Sequence, residues 1–130
     1  MVQFIPNMPK AVMDYLETIS EFDDVTFSDT LTGYVQGDTW VRMVEVPGYE
    51  AVRGRLFVSK FDFNVYAGSI ESCRSVAVRL FGYLSMMKGW SDSNVVVTHV
   101  EADVLPFNFT DIIDGQPRYV FTMAFYCRPN

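Results

Sequence analysis

The sequence predicts an α+β fold: an antiparallel sheet of four to five strands with two helices packed on one face, in the order α-β-β-β-α-β-β. Three observations carry this reading. Two segments, one near the start and one in the middle of the chain, repeat apolar residues at helical spacing. Several others alternate apolar and polar residues, the period of a half-buried strand. No strand–helix–strand alternation with glycine-rich turns occurs, which speaks against a parallel nucleotide-binding sheet. At 130 residues, one domain over 1–130 is expected.

The first helix is read over residues 9–20. Pro9 suits a first helical turn, with Asn7 or Met8 ahead of it. Val12, Tyr15, Leu16 and Ile19 form its apolar face, while Asp14, Glu17 and Glu21 look outward. Glu21-Phe22-Asp23-Asp24 ends it. Residues 25–28 make a short strand, and residues 29–38, with Thr30, Thr32, Gly33 and Gly37, a loop or loose hairpin. Residues 39–46 are rich in β-branched and aromatic side chains and read as a firmer strand. Pro47-Gly48 is expected to break it, leaving 49–54 as a connector.

Residues 55–66 form the longest expected strand. Phe57, Phe61, Phe63 and Val65 share one face, with Ser59 as the exception, and Lys60, Asp62 and Asn64 point the other way. One face is therefore buried and one polar. The second helix starts after Ser69, an N-cap residue, with Glu71 in its first turn. Ile70, Cys73, Ala77, Leu80, Phe81 and Leu84 make a wide apolar stripe, and Gly89 is a plausible stop. The last third reads as a strand over 95–104, an acidic apolar loop, the turn Asp114-Gly115-Gln116-Pro117, and a closing strand over 118–128.

Composition narrows the functional classes. Hydrophobic residues make up 49% of the chain, which argues against disorder. Eleven Phe and seven Tyr fit either an aromatic-rich core or an oligomer interface, where aromatic residues are enriched. Net charge is −6, and the Lys and Arg residues are scattered singly, so the basic stripe of a nucleic-acid binder is missing. DNA could pass an acidic surface without sticking to it. Cys73 and Cys127 sit in no metal-ligand spacing and read as free buried thiols in a reducing compartment. Met1–Pro9 lacks the basic start and apolar run of a secretory leader, and no stretch has the length of a membrane span.

Catalytic patterns do not emerge. His99 is the only histidine and is expected on the same side of its strand as Val97 and Glu101. A His beside a Glu suits acid–base work, but no nucleophile motif accompanies it, and a solvent-facing strand residue is the simpler reading. Helix capping accounts for Ser69, and turn capping for Asp114. No enzyme, metal or cofactor is expected. The loop over 105–116 is more unusual. Hairpin loops ordinarily hold about two to five residues, and this one is longer and carries Phe107, Phe109, Ile112 and Ile113. Those side chains need cover, either from their own sheet or from a neighbouring subunit. The aromatic excess favours the neighbour. With Arg118, they are the candidate subunit or partner interface.

Three blocks carry a resemblance to a known family. An amphipathic helix follows Val2-Gln3-Phe4. A strand-to-helix passage reads Phe61-Asp62-Phe63-Asn64-Val65-Tyr66-Ala67-Gly68-Ser69-Ile70-Glu71. The closing block, the most specific, is Asp114-Gly115-Gln116-Pro117-Arg118-Tyr119-Val120-Phe121-Thr122-Met123. Together they resemble the tail terminator (tail completion) proteins of long-tailed phages, the siphophages. Residues 29–38 and 49–54 lie outside the resemblance. What it implies is a structural role in the virion tail or neck, assembled in the host cytoplasm. Six copies would form a homohexameric ring that caps the tail tube, stops its polymerisation and offers a surface for head–tail joining. Implied partners are other copies of the chain, the major tail tube protein and a head-completion or connector protein, with DNA passing through unbound. Lys60, Asp62 and Asn64 are then candidates for a face lining the bore or meeting the tube. A head-side connector or stopper is the nearest rival. A small-ligand-binding α+β domain, with its cavity between helices and sheet near His99 or Glu101, is the rival from another class.

Overall fold

The computed structural model describes residues 4–130, so Val2 and Gln3 of the first block lie outside the described residues. Helix α1 spans Met8–Glu17. Its start is set by Asn7, whose side chain accepts from the Lys10 amide at 3.2 Å, and by Pro9 in the first turn. It stops before the expected residue 20. A short 3₁₀ turn, Ser20–Phe22, follows and delivers Phe22 into the core. Helix α2 spans Ile70–Ser85, with Ser69 as its cap accepting from the Ser72 amide at 3.1 Å.

Five strands follow the expected order along the chain: β1 Thr26–Ser28, β2 Trp40–Val52, β3 Leu56–Tyr66, β4 Val95–Asn108 and β5 Arg118–Pro129. In space they lie β1-β2-β3-β5-β4. Every neighbouring pair is antiparallel except β1 and β2, which run parallel with Thr26 opposite Trp40. The sheet is therefore mixed, correcting the all-antiparallel expectation. The physical reason is the 29–38 segment. It makes no tight hairpin but loops back to the end from which β1 set out. Bonds from Trp40 Nε1 to the Thr30 carbonyl (3.0 Å) and from Arg42 Nε to the Asp29 carbonyl (3.2 Å) hold it against β2.

Two further corrections come from bulges. Pro47-Gly48 does not end β2; the strand continues to Val52 across register shifts between Val46 and Tyr49 and between Glu50 and Val52. A bulge absorbs a residue that cannot join the ladder, so the missing proline donor does no harm there. Likewise β4 runs four residues past its expected end at 104, with irregularities at 97/99, 102/104 and 104/107. The first of these separates His99 from Val97. Val97 is buried in the core, whereas His99 sits opposite Tyr126 on the other face.

One apolar cluster joins both helices to a single face of the sheet. Val12 and Leu16 of α1 and Cys73, Ala77, Leu80 and Leu84 of α2 meet Phe61 and Phe63 of β3 and Phe121 and Phe125 of β5. The apolar face of β3 thus lies in the core as its spacing predicts, but Val58, Asn64 and Tyr66 on its other face are buried as well, so that face is not simply polar. Phe63 and Phe121, directly opposite in register, stack with ring centroids 5.0 Å apart. Burying each such side chain contributes about 1.5–3 kcal/mol. The Tyr15 hydroxyl of α1 donates to the Tyr83 carbonyl of α2 and ties the helices side by side. Among the described residues the opposite face of the sheet carries no helix. That face and the hairpin ends beside it position the candidate site.

Candidate functional site

The helix-free face is a ladder of polar pairs crossing β3, β5 and β4. Ala124 of β5 stands opposite Lys60 on one side and Glu101 on the other. Its small side chain lets Lys60 reach across to Asp103 on β4, Nζ to Oδ2 at 3.1 Å, with the Tyr49 ring 5.7 Å away. One step along, the Thr122 hydroxyl donates to the Asp62 carboxylate. A further step along, Arg118 Nε donates to Asn64 Oδ1 at 3.2 Å. At the far end the Tyr126 hydroxyl donates to Glu101 Oε2 at 3.0 Å and lies 3.3 Å from the Tyr49 hydroxyl. Those two contacts, Tyr49 first and Glu101 second, push the Tyr126 hydroxyl well above the ordinary tyrosine range.

This arrangement changes what the residues named for a bore can do. Lys60 and Asp62 remain half-exposed at the surface of the ladder. Asn64 is only 5% exposed and is taken up by Arg118 and by the Arg42 carbonyl, so it does not present itself to a partner. The sequence pattern puts it on the right face; its burial comes from a residue 54 positions away.

Beyond the ladder, the β4–β5 hairpin projects a built tip, the nine residues 109–117 between Asn108 and Arg118. Phe107 belongs to β4 itself, which shortens the expected loop from its N-terminal side. Two aspartates hold the tip. Asp111 Oδ1 accepts from the Ile113 amide at 2.7 Å, and Asp114 Oδ1 from the Gln116 amide at 2.9 Å. The Gly115 amide closes the turn on the Asp111 carbonyl at 2.9 Å, with Gly115 at φ +66°, a conformation other residues rarely adopt. At the base, Asn108 Oδ1 accepts from both the amide and hydroxyl of Thr110, and the Phe109 amide bonds the Arg118 carbonyl at 2.8 Å. Gln116 Nε2 donates to the Tyr34 hydroxyl at 2.7 Å and moors the tip to the 29–38 loop.

The two isoleucines on this tip find no cover. Ile112 is 99% and Ile113 95% exposed, and Val104, Leu105, Phe107 and Phe109 extend the apolar surface down β4. The two isoleucines do not fold back over their own sheet, whereas Phe107 and Phe109 pack edge to face against each other, ring centroids 5.7 Å apart. Arg118 lies beneath, its guanidinium 4.9 Å from the Phe109 ring centroid and 5.7 Å from that of Tyr66. It is thus a brace for the tip. A second surface is invisible to sequence reasoning because it depends on the β2 bulge. A groove of about 310 Å³ opens beside the β2–β3 hairpin, walled by Val46, Gly48, Tyr49, Phe57 and Val58.

The interior offers no rival site near His99. Apolar side chains fill the helix–sheet interface, and both His99 and Glu101 lie on the opposite, helix-free face. The expected ligand cavity between helices and sheet is therefore not where those two residues are. Among the described residues no helix is long and apolar enough to cross a membrane, and no three His, Cys, Asp or Glu side chains gather as metal ligands do. The chain matches no protein-family model and no curated protein.

Proposed function

We propose that this protein is a structural subunit of a long-tailed phage, a tail terminator whose copies form a ring on the tail tube. The ring stops tube growth and offers its outer side to the head connector. The observation that carries the reading is the uncovered pair Ile112 and Ile113, set in a hydrogen-bonded turn beyond the end of a 14-residue strand. A soluble chain leaves an apolar patch uncovered where a partner will cover it. The closing block of the resemblance, 114–123, begins at this same tip. The half-exposed Lys60 and Asp62, with the net charge of −6, suit a face past which DNA slides without binding.

The test is tail assembly with and without the protein. Tubes of uncontrolled length are expected in its absence, and of uniform length when it is restored. I112D/I113D should fold normally, because both side chains are exposed, yet fail to restrict length. Uniform tubes without the protein would overturn the proposal. Retention on the portal-side ring with no binding to tube ends would instead assign it as a head-side stopper.

A further inference from the structure

Strand β1 leaves β2 early. It pairs with β2 only over Trp40, Val41 and Arg42, whereas β2 continues to Val52. From Met43 onward the outer edge of β2 has no partner strand among the described residues. Its outward backbone groups there are the open row of a sheet edge, a template for one more strand. Three grooves of about 430, 270 and 310 Å³ follow this edge one after another. The first two share Pro9, Asp29 and Met43, and the last two share Glu45. Ile5, Pro9 and Met13 line them as well, and none of the three makes a backbone hydrogen bond to β2. A slot therefore runs beside β2 from the end of β1 to the bulge. Strand β4, the opposite edge of the sheet, has no residue in these grooves.

Charge selects what enters the slot. Asp29, Glu45 and Glu50 line it, and none of them forms an ion pair among the described residues. The two lysines that line it are already engaged, Lys10 by Asp14 and Lys60 by Asp103. Arg53 and Arg55, on the turn beyond, line none of the grooves. A slot of this sign repels the acidic tip of a second copy, with its Asp111 and Asp114.

We propose that this slot takes a short extended segment of another protein, apolar and basic, as an added strand of the sheet. The backbone of the segment bonds the edge of β2 along Met43–Val46, before the bulge and Pro47, which has no amide donor, interrupt the ladder. Its apolar side chains enter the grooves beside Met13, Phe27 and Phe57, and its lysines or arginines meet Asp29, Glu45 and Glu50. Main-chain bonds supply affinity, while the grooves and carboxylates select the sequence.

Titration of the full chain with short blocked peptides, followed by nuclear magnetic resonance, tests it. A peptide alternating valine and lysine is expected to shift the amides of residues 43–50 and to slow exchange of the outward-facing ones. A peptide alternating valine and glutamate should leave them unmoved. A strand turns only every second amide toward its neighbour. Methylating one alternate set of the lysine peptide's amides should therefore abolish binding, and methylating the other set should spare it. E45Q/E50Q removes charge from two exposed side chains and should fold normally. It should bind the lysine peptide about five- to ten-fold more weakly and with less dependence on salt. No binding, equal binding of the two charge patterns, indifference to methylation, or shifts confined to β4 would overturn the slot. So would wild-type oligomers that the lysine peptide dissolves, since they give the slot to a second copy. None of these readouts involves tail tubes, and tube length left uncontrolled sinks only the terminator reading.

Discussion

Gly48 occupies a position where a side chain has no room. A Cβ built there would lie 2.0 Å from the Val58 carbonyl oxygen, an atom of the backbone that cannot swing aside. Gly48 lies within the β2 bulge, where the two strands come this close, and lines the groove beside Tyr49. Gly48→Ala is expected to destabilise the protein by about 1–3 kcal/mol, the usual cost of forcing extra volume into a packed site. Urea unfolding followed by circular dichroism measures it, and an unchanged midpoint would contradict the close approach. The position misleads a reader of the sequence for a local reason. Proline and glycine together ordinarily end a strand, and nothing nearby says that a partner strand will accommodate them through a bulge. His99 misleads for a related reason. Strict alternation puts it with Val97, and the irregularity between them reverses its side.

At the scale of an element, Arg118 braces the β4–β5 hairpin from below, beside the mooring of Gln116 on Tyr34. Arg118 satisfies Asn64, which is nearly buried, and stacks against Phe109 and Tyr66. Arg118→Ala leaves the Asn64 oxygen without its donor, and a loss of about 1–3 kcal/mol is expected for an orphaned polar group of this kind. Hydrogen exchange should localise the damage, with the Phe109 and Gly115 amides exchanging faster. Arg118→Lys should recover little, because an ammonium lacks the planar face that stacks on the rings. Uniform acceleration across the whole sheet, with the tip no worse than β3, would refute the bracing role. This brace is only half visible in the sequence. The sequence reading groups Arg118 with the interface candidates of the loop and its partner Asn64 with a bore- or tube-facing strand face, because their pairing spans two strands. The apolar tip is readable, since Ile112 and Ile113 in a long loop have no amphipathic pattern that would bury them.

Across the whole molecule, local periodicity predicts what local periodicity controls. The core face of β3, the order of elements and Cys73, Ala77, Leu80 and Leu84 of α2 follow from spacing, whereas Ile70 of the expected α2 stripe is exposed in the first turn and Val76, outside it, is buried. The parallel pairing of β1 with β2 does not follow from spacing, because it is decided by where the connection over 29–38 returns. The single core also carries a pH dependence. Burial pushes the Cys73 and Cys127 thiols from near 9 up to about 11, and the hydroxyls of Tyr15 and Tyr34 are raised chiefly by the same cause. A group whose folded pKa is raised gives up its proton more readily when unfolded. Its stabilising effect is complete below the unfolded value and is lost as pH rises toward the folded one. Stability should therefore hold at pH 8 and fall between pH about 9 and 11. The fall should reach a few kcal/mol, since a tenfold difference in proton affinity between the folded and unfolded chain is worth about 1.4 kcal/mol. Denaturant midpoints at pH 8 and 10.5 measure it, and the fall should shrink, without vanishing, in C73A/C127A. A flat profile would mean that the thiols reach water in the folded state.

The position of β5 between β3 and β4 has a consequence for how the protein is made. On the ribosome, β3, α2 and β4 emerge while the slot between the two strands is still vacant, and the nascent domain waits for its keystone. Until residues 118–129 are available, the β5-facing edges of β3 and β4 have no partner strand in this chain, and an unpaired edge is a template for any passing strand. Biogenesis of this subunit is thus completed by the last of its strands to be translated, and a stall shortly before that point would strand a sticky, half-built sheet.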